Sequence, residues 1–90
     1  MKHTTNEPRD AEALALAALA ATLTDERRAT RFLDLTGLEA TELRARVGQR
    51  SLLAATLAFL EAHEPDLLDV AQAIGSTAEK LVAARLELEG

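Results

Sequence analysis

Cysteine, tryptophan and tyrosine do not occur in this chain of 90 residues. Without cysteine there is no disulfide framework, no thiolate nucleophile and no zinc site built on sulfur. Such a composition fits a reducing compartment. The only aromatic residues are Phe32 and Phe59, too few for a base-stacking platform, and both are expected in the core. Valine occurs three times (Val47, Val70, Val82) and isoleucine once (Ile74). Strands draw on β-branched and aromatic residues, so a sheet has nothing to be made from. The four glycines stand singly, and no glycine-rich loop can cradle a phosphate.

Long hydrophobic runs are also missing. Ala13–Leu23 spans eleven residues and Ser51–Leu60 ten, whereas a membrane helix needs about 20. The first run lies near the N-terminus, and Ala18-Leu19-Ala20 imitates a signal-peptidase site. A secretory signal wants a positive segment before its apolar one; here Glu7, Asp10 and Glu12 intervene. The run is therefore expected to stay on the protein as its first helix.

What the chain does contain is leucine and alanine, the two best helix formers. Ninety residues make one domain, able to bury about 60% of the surface of the unfolded chain. The expected fold is all-α: a compact, soluble bundle of about six short helices. Its centre is the uncharged stretch Ser51–Leu60, in a helix of about 49–63. Leu52, Leu53, Leu57, Phe59 and Leu60 spread round most of its circumference, and a helix apolar nearly all round must be enclosed.

The other helices follow from their punctuation. Residues 1–5 lack periodicity and are expected to form a disordered tail, with 6–90 as the domain. Asn6 caps a first helix opened by Pro8, which reaches Leu23 and buries Leu16, Leu19 and Leu23, with Leu14 widening the stripe. Thr24 caps a second helix with Asp25 and Glu26 in its first turn; Phe32, Leu33 and Leu35 are its apolar positions and Gly37 its stop. A third covers about Ala40–Val47, with Leu43 and Val47 at i, i+4. The central helix ends near His63-Glu64-Pro65, because the residue before proline is disfavoured in α geometry. Leu67, Leu68, Ala71 and Ile74 form the buried face of a fifth helix ended by Gly75. Ser76 and Glu79 match a capping box for the last, which runs to about Glu87 and buries Leu81, Val82 and Leu86 or Leu88.

Charge is unevenly placed. The formal net charge is −5. Residues 25–50 carry six arginines against five acids, while residues 61–89 carry Lys80 and Arg85 against seven acids. General acidity argues against non-specific binding to nucleic acid or anionic membranes. It leaves one arginine-bearing helix to explain. Arg27 and Arg31 fall at i, i+4 on one face, with Arg28 beside them. These three residues are the candidate interaction face, suited to an acidic partner helix or a phosphate. The competing expectation is that Arg27 and Arg31 pair with Glu26, Asp34 or the acidic C-terminal helices, or are simply solvated.

No reactive constellation emerges. His63-Glu64 begins like the zinc-protease H-E-x-x-H, but Leu67 holds the second histidine position. His63 is expected to face the dipole at a helix C-terminus. Ser51 and Ser76, the only serines, sit at helix starts outside any G-x-S-x-G setting. Two helix–glycine–helix units, Leu33–Gly37–Leu43 and Ala71–Gly75–Leu81, have the spacing of a helix-turn-helix DNA reader. Their second helices open on Glu39-Ala40-Thr41-Glu42 and Ser76-Thr77-Ala78-Glu79, where a DNA reader needs Arg, Lys, Asn or Gln. Carboxylates there repel phosphates.

Three segments resemble a family of small helical proteins from alphaproteobacteria classed as a domain of unknown function: Arg31-Phe-Leu-Asp-Leu-Thr-Gly-Leu38, Glu42-Leu-Arg-Ala-Arg46 and Leu57-Ala-Phe-Leu60. Asp10-Ala-Glu-Ala-Leu-Ala-Leu16 is similar to that family's opening, and the likeness covers roughly residues 10–90. Glu39-Ala40 departs from it, since the family commonly has a capping Ser or Asp followed by Pro. The resemblance implies a bacterial cytoplasmic protein with no assigned activity, cofactor or catalytic residue. The combined expectation is a non-enzymatic protein-interaction module without cofactor or metal, with a helix-turn-helix regulator as the alternative. A protein partner is expected, and the chain itself is expected to be a monomer or a weak homodimer. Self-pairing through the last helix follows if Leu86 and Leu88 cannot both be buried.

Overall fold

The computed structural model describes residues 8–90; the expected tail and the Asn6 cap lie outside them. Six helices occur in it, and no strand among the described residues: α1 Pro8–Thr24, α2 Glu26–Thr36, α3 Ala40–Arg46, α4 Arg50–Glu61, α5 Glu64–Ala73 and α6 Ala78–Glu89. The all-α expectation holds. So does the centre, although α4 is two residues shorter at its C-terminal end than the expected 63.

Leu52, Leu53, Ala54, Thr56, Leu57, Phe59 and Leu60 of α4 are all buried. α1, α5 and α6 pack against it, and α1 and α6 also pack against each other. The one polar side chain in that buried set is satisfied locally, because Thr56 Oγ1 donates to the Leu52 carbonyl at 2.9 Å. Thr22, fully buried in α1, does the same to Ala18 at 2.7 Å. A buried hydroxyl without such a partner carries a penalty of about 1–3 kcal/mol.

The buried side of α1 differs from the leucine stripe expected. It follows Ala11, Ala15, Ala18, Leu19 and Thr22, while Leu16 and Leu23 are exposed. The first three and Thr22 recur every three or four residues, along one line of the helix. Small side chains on that line let α1 approach α4 and α6 closely. Leu16 stands well to one side of it. The same geometry corrects two other positions and settles a third. Leu35 of α2 is 70% exposed and Phe32 buried, and Leu68 of α5 is exposed and Val70 buried, while in α6 the expected choice between Leu86 and Leu88 falls to Leu88 and Leu86 is exposed. In each case a leucine off the arc faces outward, and periodicity settles the matter against hydrophobicity.

Helix ends moved too. α1 continues through Thr24, whose hydroxyl donates to Ala21 O at 2.7 Å. Asp25 is then the single residue between α1 and α2, and its carboxylate accepts the Arg28 N–H at 2.9 Å as the N-cap. At the start of α3 the Glu39 N–H donates to Glu42 Oε1 at 2.9 Å, so the glutamate that departs from the family pattern still opens a helix. His63 directly follows the Ala62 C-cap of α4, and its N–H donates to Leu60 O at 3.1 Å. It is at the same time the N-cap residue of α5, with its carbonyl accepting from Asp66 and Leu67.

The cap of α6 is Thr77, whose Oγ1 accepts the Lys80 N–H at 3.1 Å. Ser76 is already committed to ending α5. Gly75 adopts φ +71° and donates to Gln72 O at 3.1 Å, while the Ser76 N–H returns to Ala71 O at 2.8 Å. That pair of bonds is a Schellman closure, and the next residue is the first one free to cap. Thr77→Ala is therefore expected to cost about 1 kcal/mol in urea denaturation. Ser76→Ala is expected to cost nothing, since its Oγ is buried without a partner. Equal losses in the two variants would restore Ser76 as the cap.

Candidate functional site

The three arginines of α2 do not form one open face. Asp66, in the first turn of α5 and 5% exposed, draws two of them inward. Its Oδ1 accepts from Arg28 Nε at 2.9 Å, and its Oδ2 accepts from Arg31 Nη2. Arg28 reaches on to Asp69 Oδ2 at 3.4 Å. The Arg31 guanidinium lies 5.4 Å from the centre of the Phe59 ring, within cation–π range. Phe59 in turn meets Phe32 edge to face at 5.2 Å. α2, α4 and α5 are thus tied at one point. Arg27 is exposed and makes no ion pair among the described residues.

Burial pushes the Asp66 carboxyl up, but hydrogen bonds from Arg31 and Arg28, with their two charges, outweigh it and hold the group below the usual carboxylate range. The competing expectation of pairing with the C-terminal acids holds for Arg31; Asp34 and Glu26 are not its partners. Other charges are spent in the same way. Arg50 donates to Glu87 O and Leu88 O at the end of α6 at 3.3 and 3.2 Å. Arg85 bridges Glu61 and Glu89, and the Glu61 carboxylate holds its guanidinium above its ordinary value.

Beside the tie point lies a surface that sequence reasoning did not single out. Ser51, Ala55, Ala58 and Ala62 recur along the outer side of α4, and all are exposed. Leu35 stands over them from α2. Two shallow depressions meet at Leu35: one with Leu38, Arg46, Gln49, Leu52, Ala55 and Ala58, the other with Arg31, Phe59, Ala62 and His63. Together they form an open groove about three turns of α4 long. No carboxylate lines it. A trace of it was present in the sequence, as charge-free small residues at spacing four, three, four.

Other surfaces offer less. The cleft between α1 and α6, lined by Leu14, Ala83 and Ala84 with Asp10, Lys80 and Glu87, holds about 170 Å³, below the range of about 300–1,000 Å³ typical of ligand sites. Ala13, Leu16, Ala17, Ala20 and Leu23 make an exposed uncharged face on α1. Among the described residues no three His, Asp or Glu side chains converge on a point that could hold a metal ion. No helix there is long and apolar enough to cross a membrane.

The Asp66 tie yields a prediction. Asp66→Ala leaves the largely buried guanidinium of Arg28 with only the longer pair to exposed Asp69 and is expected to cost about 3 kcal/mol at pH 7; Arg27→Ala should stay within about 0.5 kcal/mol. A carboxyl held low in the folded state stabilises it above the unfolded pKa, and that contribution fades as pH falls through the folded value. Urea midpoints of wild type and Asp66→Ala should therefore converge below the ordinary value of 3.8. A gap of unchanged size at pH 3 and pH 7 would rule out the ion tie as its source.

No curated protein and no solved structure matches the chain. A family model described as "Protein of unknown function (DUF3572)" matches residues 8–90, which take in all six helices and all the segments that carried the resemblance. The chain belongs to the DUF3572 family.

Proposed function

We propose that this protein is a non-catalytic protein-interaction module and that its working surface is the groove between α2 and α4. The observation that carries the reading is Leu35. A leucine 70% exposed over a row of outward alanines is apolar surface that a partner would cover. Arg31 stands at one end of the groove, so the reading keeps part of the arginine face and extends it. Arg27 and Arg28 fall outside the groove lining, Arg28 being committed to Asp66 and Asp69. A bacterial cytoplasmic setting belongs to the proposal, and the cysteine-free sequence is compatible with it.

The DNA-reading alternative has less behind it. The Gly75 unit delivers α6 into the core, where Leu81, Ala84 and Leu88 are buried. In the Gly37 unit the second helix, α3, opens on Glu39 and Glu42, joined to each other. Exposed arginines on α3 (Arg44 and Arg46) are the feature in its favour.

A photo-crosslinking residue placed at Ala58, in cells of the native host, is expected to capture one or a few defined proteins. The same residue at Glu79, on the exposed side of α6, is expected to capture none of them. Identical background from both positions would end the groove's role.

A further inference from the structure

We infer that the α2–α4 groove receives an acidic amphipathic helix of another protein. The inference rests on the interaction reading above and adds the chemistry of the partner. The chain as a whole carries five more acids than bases, yet the groove lining contains Arg31, Arg46 and His63 and no carboxylate. The two arginines stand at its two ends, Arg46 beside Gln49 and Ser51, and Arg31 beside Ala62 and the His63 imidazole. Between them the floor is Ala55 and Ala58, walled by Leu35, Leu38 and Leu52. From Ser51 to Ala62 the strip runs about 16 Å at 1.5 Å per residue.

That pattern specifies the partner. A helix laid along the strip presents apolar side chains at i, i+3 or i+4, and i+7 to the alanine floor. Alanines on the floor let its backbone come close, and Leu35 and Leu38 fill the space between its side chains. Carboxylates near both of its ends then meet Arg46 and Arg31. Arg31 is well suited to this use. Asp66 and the Phe59 ring fix its guanidinium while its side chain remains 49% exposed. A guanidinium has five N–H donors, so some remain for a second carboxylate, and the ordering cost on binding is already met. Arg46 is exposed and without an ion pair among the described residues. Asp34, the nearest carboxylate on α2, does not line the groove, and Glu42 is occupied by the Glu39 N–H.

Three labelled peptides of equal length test the inference by fluorescence anisotropy on the full chain: a leucine-striped helix with glutamates at both ends, the same helix with lysines there, and a scrambled acidic version. The acidic helix is expected to bind and to weaken as salt is raised, with the lysine helix weaker by at least about tenfold. Amide NMR shifts should map to Leu35, Ala55, Ala58 and Ala62. Ala58→Glu and Arg46→Glu, both at exposed helical positions, should each weaken the acidic helix about tenfold while leaving the urea midpoint unchanged.

Equal binding of acidic and lysine helices, equal binding of the scrambled peptide, no saturation up to about 1 mM, or shifts confined to α1 would each overturn it. Self-association of the chain that Ala58→Glu abolishes would make a second copy the occupant and also overturn it. The two levels separate cleanly. Crosslinks at Ala58 to a partner without an acidic helix leave the interaction module standing and remove only this inference.

Discussion

Leu53, Leu57 and Leu60 occupy successive turns of α4, and each is 3% exposed or less. Keeping water from that row is the constraint on which the remaining architecture depends. It is met by two kinds of surface. α6 supplies Leu81, Ala84 and Leu88, and α1 supplies Ala11, Ala15 and Ala18 with Leu19. Alanine on one helix against leucine on another lets the axes draw together, which matters because interiors are packed as densely as organic crystals. The threonines at 22 and 56 fit this dry setting only because each hydroxyl bonds within its own helix.

A second constraint joins the periphery to that centre. α2 buries one large side chain, Phe32, and packs chiefly against α1. Asp66 compensates for this limited contact by holding Arg28 and Arg31 across to α5. Hydrogen bonds to both carboxylate oxygens satisfy the buried charge, the condition under which such a tie contributes to stability. The same arrangement places Arg31 over Phe59, at the end of the α2–α4 groove. An arginine that serves the fold thereby becomes a fixed cation at the surface.

Much of the fold was legible in the sequence, and the exceptions have physical causes. Helix number, the central stretch, the glycine stops and the proline starts depend on local chemistry, and they came out within a few residues. Leu16, Leu35 and Leu68 were misplaced because hydrophobicity was weighed above angular position on short helices that bury a single arc. Thr77 displaced Ser76 because the Schellman closure consumed one more residue than a simple stop. Asp66 was invisible as a hub, since its partners lie 35 and 38 residues away and nothing local marks it. The groove was half legible. Ser51, Ala55, Ala58 and Ala62 could be seen as an uncharged side of α4, but whether a neighbour covered it depended on where α2 ends.

The surface chemistry follows from the same packing. Because α4 is enclosed on most of its circumference and open on one narrow side, the chain presents alanines, framed by Leu35 and by cations, where most small domains present charge. The interaction reading and the acidic-helix inference both presuppose that closed centre. Native-state hydrogen exchange measures it most directly. If α4 is the enclosed element, the amides from Leu53 to Leu60 exchange only through global unfolding, with protection equal to the stability found in urea and above that of α3. Protection of those amides at or below the level of α3 would contradict the account.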